Sequence, residues 1–206
     1  VSIGFALAFT DIEPCCSVAD FESFVSQVKQ GHHIPLFEPQ FPCSDSPTFE
    51  CECATAISNL CTSLSISIPV LQPLRNFENF ESEEALLLAL DDAERWFAIA
   101  GRLGTDLVLV CSNFVERHFP LTNDELDNMM KGYLDAQVKA FRMLGERAAK
   151  TGIRVGYEAL AWGTFVNVWE QCWAVVKEVD MPNVGIIFDS FNCLYGISLF
   201  KVGHSD

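Results

Sequence analysis

Two acidic residues stand where apolar runs give way to polar text. Residues 154–158 read RVGYE, and residues 184–188 read VGIIF and lead straight into Asp189. Both runs have the content of buried strands. A carboxylate at the tip of such a strand is costly unless it is paired, hydrogen-bonded or bound to a cation. Adjacent parallel strands lie about 4.8 Å apart, so neighbouring tips would bring Glu158 and Asp189 together. Two carboxylates that close repel each other unless a divalent metal or a shared proton intervenes. The pair is therefore a candidate catalytic and metal-binding centre. Each member also has a plainer reading: Glu158 could pair with Arg154 or a lysine, and Asp189 could cap the helix that follows.

Other strand ends add polar residues. The run over 65–71 leads into Gln72-Pro73-Leu74-Arg75, and the run over 106–111 leads into Ser112-Asn113. Arg75 could fork onto a substrate carboxylate, or simply face solvent. Asn113 and Asn192 could orient substrate hydroxyls, or bond loop backbone. Trp162, followed by Gly163, could wall a substrate cavity, or pack. His118 falls after the second of these strands, where a histidine is more often solvated than catalytic.

Those positions need a scaffold, and after residue 62 the sequence is regular. Ser82–Leu103 reads as a long helix, with Ser82 as N-cap, Glu83 and Glu84 in its first turn and Gly104 just past its end. Thr122–Lys150 reads as a second helix, with a Thr122/Glu125 capping box and Gly152 as terminator. Asn167–Val179 reads as a third. Strands start near 65, 106, 154 and 184, and Pro73 is expected to stop the first of them. Strands alternating with helices imply βαβ units and a parallel sheet. Neither GxGxxG nor GxxxxGK[ST] occurs, which disfavours nucleotide folds and leaves a (β/α) barrel, whole or partial.

Residues 1–61 read differently. Val1–Phe9 suits a strand, and Asp20–Gln30 carries Phe21, Phe24, Val25 and Val28 on one helical stripe. His32–Glu52 reads as loop. We therefore expect a divergent segment over 1–61 and a partial barrel domain over 62–206.

Composition bounds the function. The 206 residues carry 13 Lys+Arg against 28 Asp+Glu, a net charge of −15, and half of them are hydrophobic. That balance argues against nucleic acid as a partner and suits a small-molecule substrate. No apolar window is long enough to span a membrane, and no signal peptide is read at the start. Nine cysteines without a CxxC pair suggest reduced thiols in a cytoplasmic protein. The oligomeric state is not legible.

The residues already singled out also carry a resemblance. Tyr157-Glu158-Ala159-Leu160-Ala161-Trp162-Gly163-Thr164, followed by residues 182–192 (PNVGIIFDSFN), resembles the xylose isomerase-like sugar phosphate isomerase/epimerase superfamily. Within it the chain looks most like the fungal 3-dehydroshikimate dehydratases. Residues 71–78 (LQPLRNFE), Ala93-Glu94-Arg95-Trp96 and the run from Gly104 to Asn113 fit the same pattern. The resemblance covers about residues 62–192. It implies a TIM barrel with a divalent cation (Mg, Mn or Co) held by four side chains, of which Glu158 and Asp189 are the first two. The other two, a Gln and a Glu, would come from later strands. The chain opens on Val1 and stops at Asp206, so the expectation is a fragment lacking the C-terminal strands. Many relatives carry His where Asn192 stands. The implied activity is a lyase that dehydrates 3-dehydroshikimate to protocatechuate in quinate catabolism, with Arg75 toward the substrate carboxylate. The alternatives are a sugar isomerase or epimerase on the same scaffold, and an inactive truncated remnant.

Overall fold

The computed structural model describes residues 4–8, 49–114 and 123–194. Their elements alternate along the chain: β1 (Gly4–Ala8), α1 (Phe49–Ser63), β2 (Ser67–Leu74), α2 (Glu83–Leu103), β3 (Leu107–Cys111), α3 (Asn123–Lys150), β4 (Arg154–Glu158), α4 (Trp169–Val179) and β5 (Val184–Ile186). Two compact units are distinguished: Val1–Pro73 with Ala98–Leu107, and Leu74–Phe97 with Val108–Asp206. The helix expected over Asp20–Gln30 and the Thr122 cap lie outside the described residues, as does His118.

In the first unit β1 and β2 pair in parallel, with Leu7 opposite Leu71 and Ala8 opposite Gln72. Helix α1 corrects one expectation, a loop over His32–Glu52, since the helix begins at Phe49. Ala54, Ile57 and Cys61 are buried on one face of it. Their spacing is helical, but an alanine and a cysteine carry little hydropathic signal, which hid the stripe. Pro73 does not end the strand as expected, because β2 runs through Leu74 across a cis Gln72–Pro73 bond. Proline lacks only a donor, and near the end of a strand that costs one ladder bond rather than the strand. The Thr105 hydroxyl donates to the Pro69 carbonyl at 3.0 Å.

In the second unit β3, β4 and β5 are neighbours in that order. β4 and β5 are parallel, with Val155 opposite Val184 and Tyr157 opposite Ile186. Helix α3 packs on β4, and α4 packs on β4 and β5. Leu144 and Ala148 of α3 are buried, as are Cys172, Val175, Val176 and Val179 of α4. Gly145 makes the close approach possible: a Cβ there would lie 2.8 Å from Val184 Cγ2. The α2 cap forms as expected, with the Ala85 N–H donating to the Ser82 hydroxyl at 3.1 Å. Gly104 and Gly152 take φ of +79° and +73°, the left-handed conformation that ends α2 and α3. Among the described residues no helix is long and apolar enough to cross a membrane.

Candidate active site and metal centre

Parallel β4 and β5 end on the same side, and Glu158 closes β4. Asp189 follows β5 by three residues. Both carboxylates reach one atom: Asn192 Nδ2 donates to Glu158 Oε1 at 3.3 Å and to Asp189 Oδ2 at 3.0 Å. The two oxygens therefore lie within about 6 Å of each other. The Asn192 Oδ1 in turn accepts the Ala161 N–H at 3.0 Å, which fixes the amide from the loop after β4. Asp189 also caps the turn that follows it: its Oδ1 accepts the Phe191 N–H at 2.7 Å, and its carbonyl accepts the Cys193 N–H. Capping and pairing are thus combined in one side chain, one oxygen for each.

Glu158 is buried. Burial, then the negative charge of Asp189, push its carboxyl up to about 7, against a smaller opposing effect of the Asn192 hydrogen bond. Bringing a half-buried carboxylate up to a buried one creates a demand for positive charge or a proton, and an asparagine amide satisfies only part of it. Hard oxygen donors of this kind suit Mg²⁺, Mn²⁺ or Co²⁺ better than thiolate-seeking ions. The pair fits one side of a divalent site. No group of three or more His, Cys, Asp or Glu side chains able to hold a metal occurs among the described residues.

The other predicted residues, Arg75, Asn113 and Trp162, also belong to the second unit. Arg75 is exposed. It follows the last residue of β2, as Cys111 closes β3 and Glu158 closes β4. Asn113 is half-buried, and its Oδ1 accepts the Asn76 N–H at 3.0 Å, so the loop-backbone reading holds for that oxygen. Trp162 is half exposed, in the turn closed by the Gly163 N–H to the Leu160 carbonyl at 2.8 Å. Gly163 is required there, because a Cβ would meet the Val166 carbonyl oxygen at 2.0 Å and the Ser112 hydroxyl at 2.6 Å. The Ser112 hydroxyl accepts the Leu160 N–H at 2.9 Å, and the Ser112 N–H donates to the Glu158 carbonyl, joining the ends of β3 and β4.

One cluster escaped sequence reasoning. Glu78, in the loop after β2, is buried with Tyr157, Tyr133 and Gln137. Tyr157 donates to Glu78 Oε1, and the Asn113 N–H donates to Oε2 at 2.7 Å. Burial raises the Glu78 pKa, while the bonds from Tyr157, Asn113 and Tyr133 pull it back. Nothing in the sequence marks Glu78 as buried. Its only signal was a place within the LQPLRNFE run.

Comparison with known proteins supplies the family. The family Xylose isomerase-like TIM barrel matches residues 11–201, and the chain belongs to it. The α/β architecture is that of part of such a barrel, with parallel strands and no closed barrel among the described residues. A 3-dehydroshikimate dehydratase of Pseudomonas putida is 44% identical over 138 residues, which are 67% of this chain and 20% of the relative. A 3-dehydroshikimate dehydratase of Neurospora crassa is 31% identical over 157 residues, 74% of this chain and 41% of the relative. The chain thus spans about a fifth of the bacterial relative and two fifths of the fungal one. The resemblance first noted to fungal dehydratases extends to bacterial ones at higher identity. A solved xylose isomerase-like TIM barrel/4-hydroxyphenylpyruvate dioxygenase fusion protein is 41% identical, with a TM-score of 0.57 over 68% of this chain and 21% of its own. The solved IolI protein, described with a bound zinc atom, shares the fold at 19% identity and a TM-score of 0.57, covering 68% of this chain and 47% of its own.

Proposed function

We propose that this chain carries the Glu158–Asp189 part of a metal-dependent 3-dehydroshikimate dehydratase. The observation that supports this most is the pair of carboxylates, Glu158 buried and Asp189 half-buried, sharing the Asn192 amide at the ends of β4 and β5. Its weight comes from the 44% identity to an enzyme of that name over residues of this same chain. Glu158 and Asp189 would hold the cation. A bound divalent ion supplies Lewis acidity toward the ketone oxygen of the substrate. Asn192 keeps the two carboxylates in register and orients a substrate hydroxyl from the same edge. Arg75 receives the substrate carboxylate through its planar fork. Asn113 faces the ring hydroxyls, and Trp162 walls the cavity. In the net reaction an α-proton and a ring hydroxyl leave as one water, and the ring becomes the aromatic protocatechuate. Such an enzyme is cytoplasmic and serves quinate and aromatic-compound catabolism.

The test is protocatechuate absorbance from 3-dehydroshikimate, in a full-length barrel carrying this segment, with Mn²⁺ and with chelator. Glu158→Gln or Asp189→Asn is expected to abolish the metal-dependent turnover. Unchanged rates that ignore the chelator refute the assignment, and turnover of sugars without protocatechuate favours an isomerase. The 206-residue chain by itself is expected to turn over little substrate, since two carboxylates fill only part of a coordination sphere.

A further inference from the structure

The carboxyl of Glu78 has no part in the reaction proposed above, yet it is 6% exposed and accepts hydrogen bonds from two different strand ends. Its Oε2 takes the Asn113 N–H, just past β3, and its Oε1 takes the Tyr157 hydroxyl, on β4. Tyr157 Oη also lies 3.2 Å from Tyr133 Oη on α3. The Tyr133 ring stacks on Phe165, in the loop after β4, with centroids 4.6 Å apart. The residue before Glu78 is held as firmly: the Phe77 carbonyl accepts from Gln137 Nε2 at 2.8 Å, and the Phe77 ring meets Phe141 edge-on. Asn113 passes the order on. Its Oδ1 accepts the Asn76 N–H, and its carbonyl accepts the Thr164 N–H at 2.8 Å. The loops after β2 and β3 and the end of β4 therefore meet at one buried carboxyl, and the Thr164–Asn113 bond ties in the loop after β4. These three loops carry Arg75, Asn113 and Trp162.

A buried acid that merely filled space would be better replaced by an apolar residue of the same volume. Here each oxygen has its own donor, and those donors belong to elements far apart in the sequence. The structure assigns Glu78 as a positioning residue: its buried carboxyl sets the three loops that bear the candidate substrate contacts. This rests on the proposed function for the nature of the ligand, but not for the setting of the loops.

Amide hydrogen exchange on the 206-residue chain tests it, with Glu78→Gln and Glu78→Leu compared. A glutamine can accept the Asn113 N–H and donate to the Tyr157 oxygen, which then donates to Tyr133. A leucine can do neither. In Glu78→Leu the Asn76, Asn113 and Thr164 amides are expected to exchange about tenfold faster or more, because their partners are lost or displaced. Val175 and Val176 of α4 should keep their protection, and Glu78→Gln should restore all three loop amides to near the wild-type rate. Unchanged loop exchange in Glu78→Leu overturns the proposal. Equal loosening of α4 overturns it too, since it would show a general packing role. If the leucine variant does not fold, Tyr157→Phe removes the Tyr157 hydroxyl from Oε1 and should still speed the Asn113 amide. No change there counts against the proposal. Turnover of 3-dehydroshikimate by a full-length barrel carrying this segment separates the two readings: no protocatechuate formed while the exchange pattern holds removes the dehydratase assignment and leaves the positioning role standing.

Discussion

Replacing Glu158 by glutamine should make the second unit more stable at alkaline pH, although it removes a charged group from the candidate site. The folded-state pKa of this carboxyl is raised from 4.5 to about 7, by burial first and by Asp189 second. Between those values the unfolded chain has released its proton while the folded chain still holds it. The unfolded state then binds fewer protons, so stability falls as pH rises. The contribution is fully present below pH 4.5 and is lost on passing pH 7. Each pKa unit corresponds to about 1.4 kcal/mol, which sets a ceiling of about 3 kcal/mol. Water at the open strand ends screens the charge and lowers this to about 2 kcal/mol. Urea denaturation at pH 5, 6, 7 and 8 measures it. Tryptophan fluorescence is the right probe, because Trp96, Trp162, Trp169 and Trp173 all belong to the second unit. The difference between wild type and Glu158→Gln isolates this residue from the other acids. We expect Glu158→Gln to gain about 2 kcal/mol on wild type between pH 5 and pH 8. A difference that stays constant, or that moves against the variant as pH rises, refutes the placement of Glu158 beside a second negative charge in a buried site.

Gly163→Ala should cost about 2 kcal/mol in the same denaturation assay and shift the Trp162 emission, because the new Cβ meets a backbone oxygen that cannot swing aside. A variant as stable as wild type would show that the turn is looser than described. Cys111 is buried and its thiol is pushed up to about 11, by burial and then by the Glu158 charge. Iodoacetamide at pH 8 should therefore leave it unmodified until denaturant is added, as read by mass spectrometry of its peptide. Arg147 bridges Asp91 and Glu94 of α2 from α3, but both acids are mostly exposed. Arg147→Ala should cost less than about 1 kcal/mol, a loss that 1 M salt should mimic in the wild type.

Much of the second unit was legible because its signals are local. Ser82 at the head of α2, Gly152 at the end of α3 and the apolar runs over β3 and β4 each announce an element within a few residues. Glu158 and Asp189 were legible for a related reason: an acid closing a buried strand is a visible anomaly. The role of Asn192 was not, because donation to two carboxylates depends on the spacing of two strands 30 residues apart. Glu78 was hidden more deeply, since its burial is made by Tyr157 and Tyr133 and no nearby residue foretells it. In the first unit, α1 buries Ala54, Ile57 and Cys61, a stripe too weakly apolar to stand out before its partners are known. Element ends drifted by a residue or two where fraying decides them, as with α4, which starts at Trp169 rather than Asn167.

The central claim is that Glu158 and Asp189 act as one cation-binding pair. Calorimetric titration with Mn²⁺ of a full-length barrel carrying this segment addresses it directly, with Glu158→Gln and Asp189→Asn alongside. One ion bound by the wild type and released by chelator, with each variant at least about tenfold weaker, is the predicted result. Binding that both variants retain in full, or none by the wild type at millimolar Mn²⁺, would contradict it.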